Sequence, residues 1–245
     1  MLKTIRALFF AGIFTILSAS AALASASNAA TAPVSNTETV QARLNESRLE
    51  TAQAQSKGLR LGTAAAVPGD SAPDFKLSDT DGRERSLAEF AGKYVVLEWT
   101  NPDCPFVKAH YDAGAMQQVQ ETYTAKGVVW LAVASSGPGL QGYYEAAAWK
   151  KINANHKTQA TAVLLDPQGR VGKLYGVKAT PHMVVINSQG AVIYAGAIDS
   201  ALRPYAEDIA ESKNYVAQAL DEALSGHKVS IPSTKTHGCP VKYAF

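Results

Sequence analysis

The chain has 245 residues, 47% of them hydrophobic and 18% charged, with a formal net charge of +2. That length accommodates one full-sized α/β domain with appendages and is thin for two complete domains. Lys3 and Arg6 account for the whole positive excess and lie in a segment expected to be removed, which argues against a nucleic-acid partner, because such proteins keep a surplus of Lys and Arg for phosphates.

In chain order, MLKTIR is followed by the apolar run ALFFAGIFTIL and then by Ala22-Leu23-Ala24, the small residues at which a signal peptide is cut. Residues 1–24 are therefore expected to be a cleaved leader and the mature protein to be exported, periplasmic or secreted. The alternative, an uncleaved anchor, is disfavoured because the apolar run thins before the ~20 residues that span a bilayer. No cysteine lies near the cut, so no stable membrane anchor is expected after processing. Residues 25–66 are rich in Ala, Ser, Thr and Gln, a composition expected to give a flexible linker with at most a solvated helix.

A domain is expected over 67–228, followed by a polar tail over 229–245. Short β-rich runs begin at Tyr94, Val128, Ala162 and Met183 and suit the buried strands of a central sheet. Helical stretches are expected from Pro105 to Lys126, closed by Gly127, and from Tyr143 to about His156. VVINSQGAVIYAGAI reads as a β-hairpin, and NYVAQALDEAL as a last helix ending at Gly226. This order resembles a thioredoxin-like three-layer α/β sandwich with a central mixed sheet.

The strongest constellation is YVVLEWTNPDCPFVK, residues 94–108. A strand leads into a short polar loop, and Cys104 stands directly before Pro105, a residue that favours the first helical position. Cys104 is thus expected at a helix N-cap, where the dipole and unpaired amides favour the thiolate over the free-thiol value of ~8.5. A buried structural cysteine is the plainer reading.

The segment VPGDSAPDFKLSDTDGRERSLAEFAGKYVVLEW, with NPDCPFVK and the later GCPVK, resembles the peroxiredoxins and related thioredoxin-like reductases, the alkyl hydroperoxide reductase and thiol-specific antioxidant group. The resemblance implies a redox-active Cys104 whose substrate is a peroxide or a protein disulfide, with a thiol as reductant and no cofactor. It also implies that Thr180-Pro181 forms a cis-proline turn facing Cys104, against an ordinary trans proline opening a strand, and that Glu98 is a buried acid able to move protons, against a sheet-rim residue. The chain departs from these families in three places. Val107 stands where thioredoxins have a second loop cysteine; Asn101 and Leu97 replace a peroxiredoxin Thr or Ser and a Pro; and neither Arg170 nor Arg203 can be assigned to the peroxiredoxin arginine. Asn101 retains an amide able to donate to a peroxide oxygen or to the loop backbone. His110 and His182 lack ligand spacing, and no metal site is expected.

Cys239, in STKTHGCPVKYAF, is the only other cysteine. A tail this polar can swing, which would bring the thiol to Cys104 as a resolving group. A permanent disulfide and a bond to a second molecule are the alternatives. Two functional readings follow: a thiol-based oxidoreductase with Cys104 and Cys239 as its catalytic pair, or a non-catalytic binding module whose thiols are linked or idle.

Overall fold

The computed structural model describes residues 65–244. The expected leader and all but the last two residues of the 25–66 linker lie outside them. Among the described residues, no helix is long and apolar enough to cross a membrane.

Seven strands form one mixed sheet. β1 (Lys76–Asp79) and β2 (Glu84–Ser86) make a hairpin whose turn is held by the Asp79 carboxylate, which accepts from the amides of Asp81 and Arg83 at 2.9 Å each. β3 (Val95–Trp99), β4 (Val129–Ala134) and β5 (Ala162–Leu165) run parallel in the centre, while β7 (His182–Ile186) and β8 (Val192–Gly196) form the expected hairpin. The order is β2-β1-β5-β4-β3-β7-β8, with β7 antiparallel to β3. This is the thioredoxin-like α/β arrangement anticipated from the order of elements.

Strand alternation divides the core. Val95, Leu97 and Trp99 point to a layer closed by Phe75, Phe90, Val171 and Tyr175. Val96, between them, points to the opposite layer, covered by α1 (Pro105–Asp112), α2 (Ala115–Thr124) and α6 (Tyr215–Leu224). α3 (Ala146–His156) caps the same face further along the sheet by laying Trp149 on Ala132, Ala134 and Val163. Two short helices, α4 (Arg170–Leu174) and α5 (Ala206–Glu211), complete the set.

The single helix expected over Pro105–Lys126 is corrected to two. Its buried apolar positions are Val107, Tyr111, Met116, Val119 and Tyr123, so one step of five residues interrupts steps of three and four. An unbroken helix would rotate that extra residue off the core face. The chain absorbs it at Gly114, which takes φ 74°, a left-handed conformation that glycine tolerates.

The 229–245 tail, polar enough to swing, lies fastened along the domain. The Ala195 amide donates to the Pro232 carbonyl at 3.1 Å, and the Thr234 hydroxyl accepts from the Ala197 amide at 3.0 Å, fastening the segment along β8. Further on, β9 (Cys239–Pro240) pairs antiparallel with β6 (Ala179–Thr180) in a separate two-stranded sheet. Its polar composition reflects backbone pairing in place of apolar burial.

Candidate active site

Cys104 is the N-cap of α1, with Pro105 in the first helical turn. The turn is made by the Asn101 carbonyl, which accepts from the Cys104 amide at 3.0 Å, and the helix begins with the Lys108 amide donating to the Cys104 carbonyl at 2.9 Å. The Cys104 side chain makes no cap hydrogen bond, so it leaves the first amides of the helix without a side-chain acceptor from the N-cap. A helix N-terminus is also where backbone dipoles favour an anion.

The loop before the cysteine is fastened from outside. Asp103 accepts from the Gly142 amide at 3.0 Å and from the Tyr144 hydroxyl at 2.8 Å. Asn101 is buried; its Oδ1 accepts from the Asp103 amide at 2.8 Å, while its Nδ2 has no partner. The expected donation from the Asn101 amide to the loop backbone is not made; the contact with the backbone runs the other way, through the amide oxygen.

The Cys104 thiol is fully buried (0% exposed) and donates to the Thr180 carbonyl at 3.2 Å. The Thr180-Pro181 peptide is cis. In the β6–β9 register Thr180 lies opposite Cys239, so both cysteines meet at the same residue. Cys239 is half-buried and packs against the cluster that contains Cys104, and both are free thiols in this structure. Burial, and then interaction with the Cys104 sulfur, push the Cys239 thiol up to about 12. Gly238 makes this approach possible. It has φ 154°, and a Cβ there would lie 1.9 Å from the Thr180 carbonyl oxygen.

Glu98 is completely buried, not at the sheet rim. Tyr111 donates to its Oε1 at 3.2 Å; Gln120 and Trp130 donate to its Oε2 at 3.0 and 2.8 Å. Burial nevertheless raises its carboxyl above the ordinary range, because three neutral donors only partly replace water. Val107, at the position of a thioredoxin's second loop cysteine, is fully buried in the core. Arg203 is exposed and pairs with Asp208 at 2.7 Å, and Arg170 is exposed on α4.

His110 is a packing residue, with its ring between the Phe106 carbonyl at 2.7 Å and Asp199 at 2.9 Å. His182 is half-buried beside Trp99. Among the described residues, no group of three His, Cys, Asp or Glu side chains has metal-site geometry. The sequence reading missed the fastening of the cysteine loop by Tyr144 and of the terminal segment by its contacts. A Tyr two residues after Gly142 and another beyond GCPVK were the visible signals.

Residues 68–195 match the AhpC/TSA family. The chain belongs to that family. The chain is similar to the thiol-disulfide oxidoreductase ResA of Geobacillus thermodenitrificans, with 32% identity over 130 residues, 53% of this chain and 68% of that protein. It is similar at 30% identity, with the same coverage, to the ResA of Geobacillus kaustophilus. A hypothetical protein of Sinorhizobium meliloti superposes with a TM-score of 0.64 at 23% identity, covering 74% of this chain and 97% of that one. An uncharacterized conserved protein of Geobacillus kaustophilus superposes with a TM-score of 0.63 at 22% identity, covering 74% and 95%. These two likenesses concern the fold. Departures from the peroxiredoxin pattern remain at Leu97 and Asn101, and the second cysteine at Thr180 lies on β9.

Proposed function

We propose that the protein is an exported thiol-disulfide oxidoreductase in which Cys104 and Cys239 alternate between dithiol and disulfide. The observation that carries this reading is the convergence of both sulfurs on Thr180: one donates to its carbonyl, and the other belongs to the residue paired with it. The likeness to two thiol-disulfide oxidoreductases supports a protein disulfide as oxidant. Residues 1–24, read as a leader, support an oxidising compartment, where a dithiol of this kind has partners.

The Cys104 thiolate attacks one sulfur of a partner disulfide; a mixed disulfide forms and the other partner sulfur leaves as thiolate. Cys239 then attacks the Cys104 sulfur, its proton passes to the departing partner sulfur, and the Cys104–Cys239 bond closes. The partner gains two electrons and the protein loses two. In the return step a thiol reductant attacks Cys239, the more accessible sulfur, and Cys104 leaves as thiolate at the helix N-terminus. A second reductant thiol then frees Cys239.

The unpartnered Asn101 Nδ2 favours a second reading in which the oxidant is a peroxide. Cys104 takes one oxygen as a sulfenic acid and an alcohol or water is released. Cys239 displaces that oxygen as water and the same disulfide results.

The test is to expose reduced protein separately to oxidised glutathione and to hydrogen peroxide and map the product by peptide mass spectrometry. The expected product is a monomer 2 Da lighter whose Cys104 and Cys239 peptides are linked, formed by neither Cys104→Ser nor Cys239→Ser. A wild-type protein that remains a dithiol, or links only between molecules, would overturn the reading. Faster closure with glutathione than with peroxide supports the disulfide substrate; the reverse order supports the peroxide.

A further inference from the structure

The β6–β9 ladder is two residues long. The net gain from so few hydrogen bonds is smaller than the conformational entropy lost on ordering the chain around them. Something else must hold Cys239 in place. On its N-terminal side the holdfast is the Pro232–Thr234 contact with β8. On its C-terminal side the large ring among the described residues is Tyr243, and the domain has a fitted seat for it.

That seat is made of glycine. A Cβ on Gly169 would lie 2.3 Å from Cδ1 of the Tyr243 ring, and one on Gly172 would lie 2.5 Å from its hydroxyl oxygen. Any other residue at either place would evict the ring. The hydroxyl donates to the Val177 carbonyl at 2.7 Å, and Lys173 Nζ lies 5.4 Å from the ring centroid. The backbone on both sides is held as well. Gly137 donates to the Lys242 carbonyl at 2.7 Å, Val241 donates to the Lys178 carbonyl at 3.0 Å, and Lys173 Nζ donates to the Ala244 carbonyl at 3.2 Å. Cys239 is thus suspended between two anchors, over a nucleophile with no exposure of its own.

We infer that Tyr243 is a positioning residue that, seated in the Gly169–Gly172 cradle, holds Cys239 on Cys104 and keeps Cys104 covered. The first half of this role rests on the dithiol reading; the second half does not. Tyr243→Ala empties the seat, and Tyr243→Phe keeps the ring and removes only the hydroxyl.

Two readouts separate positioning from a general contribution to stability. In glutathione redox buffers, the equilibrium constant for closing the Cys104–Cys239 disulfide is expected to fall at least tenfold in Tyr243→Ala and to stay within threefold of wild type in Tyr243→Phe. In a Cys239→Ser background, alkylation of Cys104 by iodoacetamide is expected to accelerate at least tenfold on adding Tyr243→Ala. A Tyr243→Ala protein that keeps its circular dichroism and shows both readouts within twofold of its parent overturns the assignment, even if its melting temperature falls. If wild type closes no disulfide, the dithiol reading fails by itself, and the alkylation rate still decides whether Tyr243 holds the cover in place.

Discussion

Replacing Gly238 by alanine tests the geometry of the site at its tightest point. The new Cβ would start 1.9 Å from the Thr180 oxygen and 2.7 Å from its carbonyl carbon. A comfortable C···O contact is about 3.3 Å, so the two strands must separate by roughly 1.4 Å. A Cβ–Cβ separation of 3.5–4.5 Å is needed for a disulfide, a window only about 1 Å wide, so the shift exceeds the tolerance of the bond. The backbone at φ 154° adds roughly 1–3 kcal/mol for a residue with a side chain, which corresponds to about 5- to 150-fold in an equilibrium constant. The two-residue ladder is the weakest structure nearby and should yield before the seven-stranded sheet does. The expected result is a folded Gly238→Ala protein whose disulfide-closing equilibrium in glutathione buffers is reduced by a factor in that range, read by acid quench and mass tagging of free thiols. An equilibrium within twofold of wild type would show that Gly238 does not govern the approach of the two cysteines.

Two further outcomes follow from the electrostatics. In reduced protein, alkylation of Cys239 should rise with pH toward a midpoint of about 12, and Cys104→Ser should lower that midpoint but leave it above 9.0, because burial, the larger cause, remains; an ordinary midpoint in the wild type would contradict the half-buried placement. For Glu98 the folded carboxyl titrates above its unfolded value of 4.5, so the stability it contributes is complete below that pH and is lost as pH rises through the folded value. Glu98→Gln removes that loss. Its melting temperature relative to wild type should therefore become more favourable from pH 4 to pH 8, and a difference that is constant across this range would refute the burial argument.

The parts of the site that local rules govern were legible in the sequence. Proline after Cys104 announced an N-cap, the apolar run before it announced a central strand, and GVKATPHMVVI placed a proline at the entrance to β7. Glu98 alternates with Leu97 and Trp99, but alternation alone does not say which face is buried deeply enough to enclose a carboxylate; the ring nitrogen of Trp130 and the amide of Gln120 come from other elements. The break at Gly114 was present as a single five-residue step and is small against the helical pattern around it. The seating of Cys239 was not legible for a different reason. β9 is two residues long, has no periodicity, and is fixed by backbone groups and by spaces left at glycines, neither of which leaves an apolar signature.

The fastening of Asp103 to Gly142 and Tyr144 has a kinetic consequence. In the proposed cycle the loop of Cys104 is already fastened before any substrate arrives, so its ordering entropy is met during folding and not at each turnover. What remains to move is one short strand. In the proposed cycle, the frequency with which that strand lifts is then the natural throttle on turnover, and substrates should differ mainly in how well they exploit the moment of opening.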